Sequence, residues 1–246
     1  MHTHLERSTH NSGLGFDSHL TDPWNSIMFN WHVIGEDGFA DEFKNVARDE
    51  IGRAKRIITK DSYDRALTFL EFIVREKRCP REFAGELNNA LRASRAAYRI
   101  IEQNVVPVAS DEEGRVLATA FEILRGGRFP GARAHLAEAA QQLKAGNSAA
   151  SVRESISAVE SVAKVLEPGA TTLGPALTAL ERGGAIHGGI KSGFSALYGF
   201  TSDEQGIRHA LLEKDEAAID DADAIYMLGA CAAFVTYLAL KTEPSA

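Results

Sequence analysis

The chain reads as an all-α protein carrying one short β-hairpin near residues 100–108. Three observations predict this. Apolar residues recur at i, i+3, i+4 and i+7 through most of the 246 residues. Capping residues, Gly and Pro punctuate those runs at helix-length intervals. Only Ile100–Val108 departs, with two short runs rich in Val and Ile around Gln103-Asn104.

Residues 1–20 are rich in Ser, Thr, Asn and Gly, with His2, His4, His10 and His19 at irregular spacing. They read as a disordered polar tail rather than a metal tract. Asp22-Pro23-Trp24 opens the first helix, with Asp22 as N-cap and Pro23 at the first helical position. Trp24, Ile27, Met28 and Trp31 follow at helical spacing. Phe39, Phe43 and Val46 begin a second helix, and Ile51, Ile57 and Ile58 lie further along the same region. Asp61 caps a third, whose apolar side is Tyr63, Leu67, Leu70, Ile73 and Val74, and Cys79-Pro80 ends it. Phe83, Leu87, Leu91, Ala97 and Tyr98 make a fourth. The pattern resets near 105–112, so an N-terminal helical domain is expected over 21–109, ending in the hairpin.

Ser110-Asp111-Glu112-Glu113 then pairs a cap with early acids, the signature of a helix start. That helix carries Val116, Leu117, Ala120, Phe121 and Leu124 and ends at Gly126-Gly127. Ala132 to Ala145 forms the next. Asn147 or Ser148 caps a long helix through Leu166, with Val152, Ile156, Val159, Ala163 and Leu166 as its core stripe. A second stripe, Arg153, Ser157, Glu160 and Lys164, points elsewhere. Short helices follow over Leu173–Leu180 and Ile186–Leu197. Ala224–Leu240 is nearly continuous apolar sequence, slightly short for a bilayer span. Asp220, Asp221 and Asp223 precede it and Lys241 follows, which suits a helix dipole. A buried central helix is expected there, with no membrane contact. Residues 110–241 thus form a second helical bundle, and 242–246 a tail.

Charge and composition bound the function. The net charge of −7 argues against non-specific nucleic-acid binding by bulk attraction. The charge is uneven. Lys44 to Arg99 holds 14 Lys and Arg against 8 Asp and Glu, whereas Asn147 onward holds 7 against 13. Any polyanion would find its footing on the N-terminal helices. Cys79 and Cys231 lack metal spacing and fit a reducing compartment. No charged-then-apolar leader pattern opens the chain, so a cytoplasmic location is expected. There is no phosphate loop, zinc spacing or nucleophile elbow, so no cofactor and no metal are expected.

Several stretches resemble a known family. Glu154-Ser-Ile-Ser-Ala-Val-Glu160, Leu197-Tyr-Gly-Phe-Thr-Ser-Asp203 and Gly206-Ile-Arg-His-Ala-Leu211 are similar to the bacterial abortive-infection AbiJ N-terminal-domain family, one of its HEPN-associated types. Tyr98-Arg99, Val106-Pro107-Val108, His135-Leu136, Leu173 with Ala176, His187, and Ala224 through Leu238 extend the likeness, and Pro23-Trp24-Asn25 resembles its Trp-Asn start. The likeness covers about residues 21–241. It implies a HEPN-like bundle over 110–241 and a role in phage defence. It also implies a homodimer and a ribonuclease that needs no metal, with an Arg and a His shared across the two-fold interface. The 2′-hydroxyl would attack the adjacent phosphate, with a His moving the proton and an Arg steadying the charge.

The candidate catalytic pair is Arg208-His209, with Glu154, Glu160, His187 and Tyr198 as supporting residues. The pair departs from the related pattern Gly-Ile-Arg-Asn followed by a His five positions after the Arg. Here His209 fills the Asn position and Glu213 the His position. Arg182 with His187, five positions apart, and Arg128 with His135, seven apart, also fall within the range of Arg-to-His gaps such motifs permit, no more often than chance allows. Two readings stay open. Arg208-His209 can bind and protonate a phosphate of RNA. Alternatively, Arg208 pairs with Glu154 or Glu160 and His209 meets a carbonyl, leaving an inactive module that binds a protein or nucleic-acid partner. His187 also reads as a helix cap, and Tyr198 as packing in a Leu-Tyr-Gly turn.

Overall fold

The computed structural model describes residues 18–203 and 219–242. Within them lie ten α-helices and one two-stranded antiparallel sheet, a mainly α architecture. The chain forms two compact units. Among the described residues, one comprises 18–96 together with Gln103–Val105, and the other comprises Ala97–Glu102 together with 106–203 and 219–242.

In the first unit, α1 is Trp24–Asn30 and runs into a π-helical turn, Trp31–Gly35. Pro23 occupies the N-cap, so the helix starts one residue later than the sequence suggested. Asp22 still caps it from outside, accepting from Ser26 N at 3.2 Å and Ser26 Oγ at 2.6 Å. Gly35 is needed because a Cβ there would lie 2.2 Å from the Trp31 ring. That ring packs against Phe69 and Phe72, with centroids 4.8 and 5.2 Å away. Leu20 is buried in the same unit, its backbone bonded both ways to the Asn45 side chain.

The second helix, α2, is Ala47–Thr59 and does not include Phe39 or Phe43. Phe39 is 72% exposed, and its carbonyl accepts from His32 Nε2 at 3.0 Å. Val46 is extended and serves as N-cap, so the helix can only begin after it. The third, α3, is Tyr63–Arg75, capped by Ser62 rather than Asp61. Ser62 Oγ accepts from Arg65 N at 3.4 Å, while Asp61, one residue too early, pairs with the Arg65 guanidinium at 3.0 Å. Leu67, Phe69, Leu70, Ile73 and Val74 are buried, and Tyr63 stays exposed. The fourth, α4, is Phe83–Ala93. It stops short of Ala97 and Tyr98, because Arg95 adopts a left-handed φ of 54° that turns the chain away.

Strands β1 (Tyr98–Ile101) and β2 (Asn104–Pro107) form the expected hairpin. The turn residues are Glu102 and Gln103, one position earlier than Gln103-Asn104. Both have positive φ, 50° and 64°, as a type I′ turn requires.

In the second unit, α5 is Asp111–Leu124. Ser110 caps it from Glu113 N at 3.1 Å, and Glu113 returns a carboxylate to Ala109 N at 2.6 Å. Then follow α6 (Pro130–Lys144), α7 (Ser148–Leu166), α8 (Leu173–Arg182), α9 (Gly188–Asp203) and α10 (Asp221–Lys241). The bundle centres on α7, which packs along both α6 and α10. Small residues let the helices approach closely. A Cβ on Gly131 would lie 2.6 Å from Ser161 Oγ, and one on Gly229 would lie 3.0 Å from Glu113 Oε1.

By length and composition alone, α10 could cross a membrane, but half of its apolar window is buried in this unit. Ala224, Leu228, Cys231, Val235 and Leu238 enter the core, and Phe234 stacks on Phe194 with centroids 3.9 Å apart. Asp220 and Asp223 close a full capping box at its start, which answers the acidic flank seen in the sequence.

Candidate functional site

Arg208 and His209 lie outside the described residues. The four supporting residues belong to the second unit, each in a different setting.

Glu154, on α7, faces α6, where His135 Nδ1 donates to Glu154 Oε2 at 2.7 Å. A carboxylate only accepts, so this bond fixes the proton on Nδ1 and leaves Nε2 as the basic nitrogen. Both side chains are partly open, at 41% and 27% exposure. Such a pair can do two things. It can tie α6 to α7, and it can move a proton to or from a substrate that reaches Nε2.

Glu160 lies six residues further along α7, about 9 Å up the axis and roughly 120° around it. It therefore shares no face with Glu154. It pairs instead with Lys164 at 3.2 Å, one turn on, within the outward stripe read from the sequence. His187 is exposed and sits immediately before α9. Gly189 N donates to its Nδ1 at 3.0 Å, the geometry of a helix cap. Tyr198 is half-buried against the apolar core of the bundle.

The spacing that matched Arg128 to His135 has no counterpart in their bonds. Arg128 Nη1 donates to the Thr242 carbonyl at 2.9 Å, at the end of α10, and its guanidinium lies 4.9 Å over the Phe129 ring. Sequence reasoning missed the true partner of His135. Glu154 is 19 residues away, and only the antiparallel packing of α6 on α7 joins them.

A second charged cluster gathers on Glu102 at the hairpin turn. Arg125 and Arg133 both donate to its carboxylate. Burial opposes ionisation there, but the two guanidiniums outweigh it and hold the carboxyl below its usual range. Glu113 shifts the other way, because burial outweighs its bonds to Ala109 and Ser110.

In the first unit much of the positive charge is already neutralised. Arg53 and Arg65 both reach Glu36, at 3.4 and 2.6 Å, and Arg75 pairs with Glu71 at 2.5 Å. The basic stretch seen in the sequence is thus in part a set of internal ion pairs. Among the described residues no group of His, Cys, Asp or Glu is arranged to hold a metal ion.

Residues 15–122 match the family model described as AbiJ N-terminal domain 4, from before α1 to within α5. No curated protein matches the chain, and no solved structure matches it.

Proposed function

We propose, from the match of residues 15–122 to the AbiJ N-terminal domain 4 family model, that the chain is a phage-defence protein of the abortive-infection class. Its helical bundle over 110–241 is read as HEPN-like, acting as a homodimer that cleaves RNA without metal. The observation that carries the defence reading is the family match. The ribonuclease reading rests on the motif around Arg208-His209, which lies outside the described residues.

The chemistry is a transesterification. The ribose 2′-hydroxyl attacks the adjacent phosphorus and the bond to the 5′-oxygen breaks. A 2′,3′-cyclic phosphate and a free 5′-hydroxyl result. His209 takes the 2′ proton or delivers one to the leaving oxygen, and Arg208 balances the charge on the phosphorane. His135, held by Glu154, is a second acid–base group in the same bundle.

One observation favours the alternative, an inactive module that binds a protein or nucleic acid. Glu213 stands where related proteins carry the catalytic His.

The test uses the purified full chain, single-stranded RNA and EDTA. Cleavage that survives EDTA, leaves cyclic phosphate ends and falls about 10²–10⁴-fold in His209→Ala supports the enzyme. A folded His209→Ala that cuts as well as the parent rejects that site, and His135→Ala then tests the other. A parent that cuts no RNA yet still blocks phage growth turns the assignment to the binding module. Light scattering that returns a monomer mass at tens of micromolar, far above ordinary dimer affinities, removes the shared-site argument.

A further inference from the structure

The first unit contains an open cavity of about 590 Å³ that none of the residues discussed as catalytic lines. Small-ligand pockets run from roughly 300 to 1,000 Å³. Three stretches build it: Asn25, Phe29 and Asn30 on α1, Phe43 and Asn45 before α2, and Lys77 and Arg78 just beyond α3.

Its lining combines three chemistries with one carboxylate, Glu76. Two half-buried rings, Phe29 and Phe43, meet edge to face, with centroids 5.4 Å apart and planes at 85°. Amides come next. Asn45 is committed at both ends to the Leu20 backbone, at 2.8 and 3.0 Å, and Asn30 Nδ2 donates to Glu76 Oε2 at 3.1 Å. Asn25 differs, because its Oδ1 is buried with no hydrogen-bond partner among the described residues. A buried acceptor left bare is costly. Cations complete the set. Arg78 is oriented by Asp22 Oδ2 and Ser26 Oγ, both 3.1 Å away. Lys77 is exposed and pairs with no carboxylate among the described residues.

We infer that this cavity binds a nucleotide, its base against Phe29 or Phe43 and its phosphate on Lys77 and Arg78. An aromatic face accepts the flat face of any base. Lys77 supplies an uncompensated charge for phosphate, and Arg78 a planar fork. A bare sugar would leave the cations unused, and a phosphorylated peptide would leave the paired rings unused. The site lies within the N-terminal unit, and it stands or falls independently of whether the chain cuts RNA.

The experiment is calorimetric titration of the full chain with AMP, UMP, adenosine, inorganic phosphate and a 5′-phosphorylated oligoadenylate. AMP and UMP should both bind more tightly than adenosine and phosphate. Lys77→Gln, an exposed change that leaves the fold alone, should weaken AMP about tenfold and leave adenosine unchanged. Phe43→Ala should weaken AMP and adenosine alike by about tenfold, the scale of one lost stacking contact. If that variant fails to fold, Lys77→Gln alone carries the decision. Oligoadenylate binding more tightly than AMP identifies an RNA end as the natural source, and the reverse identifies a free nucleotide. Three results overturn the inference: no binding of any nucleotide up to millimolar concentration, AMP binding unchanged in Lys77→Gln, or inorganic phosphate binding as tightly as AMP.

Discussion

Gln103→Gly should stabilise the protein, and by more than its neighbour Glu102→Gly. Both residues occupy the left-handed positions of the hairpin turn, at φ of 64° and 50°. A non-glycine residue there costs about 1–2 kcal/mol from the Cβ clash. Glycine removes that cost but adds about 0.5–1 kcal/mol of unfolded-state entropy. The balance at Gln103 is a gain of about 0.5–1 kcal/mol, because its side chain is exposed and makes no hydrogen bond or ion pair among the described residues. At Glu102 the backbone gain is the same, but the carboxylate that gathers Arg125 and Arg133 is removed. Those arginine side chains are 62% and 45% exposed, so solvent screens both bridges and each contributes modestly. The two effects at Glu102 oppose each other, so Glu102→Gly gains less than Gln103→Gly or loses stability. Urea denaturation followed by far-UV circular dichroism resolves this difference as opposite or unequal shifts in midpoint. A Gln103→Gly midpoint at or below that of the parent would refute the strain argument. A Glu102→Gly midpoint above that of Gln103→Gly would refute the role of the two arginines.

Three further outcomes are expected. The Glu102 carboxyl is held below its usual range, so its stabilisation is fully present above about pH 4 and is lost as pH falls through its depressed value. Glu102→Gln should therefore narrow the stability gap between neutral and acid pH, measured by thermal melts. Glu50 is the reverse case. Burial raises its carboxyl despite Arg53, and its Oε2 has no partner among the described residues. Its ionisation weakens the fold as pH rises through the raised value, so Glu50→Gln should gain stability at pH 7 and nothing below about pH 4. Leu136 is fully buried in the second unit, so Leu136→Ala should cost about 2–5 kcal/mol; a loss under about 1 kcal/mol in denaturant titration would mean that the α6–α7 core is not as close-packed as described.

The helices were legible in the sequence because their signals are short-range. A cap, a 3.6-residue period and a Gly or Pro act within one or two turns, so α5 from Ser110, α7 with its two stripes and α10 with its acidic start could be read locally. The resemblance to the AbiJ N-terminal-domain family was legible as well, and residues 15–122 carry it. Where two adjacent residues can serve the same role, the linear pattern cannot choose. Ser62 and Asp61 both cap well, and backbone geometry selects Ser62. Phe39 and Phe43 fit a helical period, yet Val46 is extended and α2 starts after it. Chemistry across helices was the least visible. Arg128 and His135 have a suggestive spacing, but Arg128 turns to Thr242 and His135 to Glu154. The bare oxygen of Asn25, the two arginines on Glu102 and the walls of the cavity are products of packing. Each depends on distances set by residues tens of positions apart, and only the folded chain brings those distances down to a hydrogen bond.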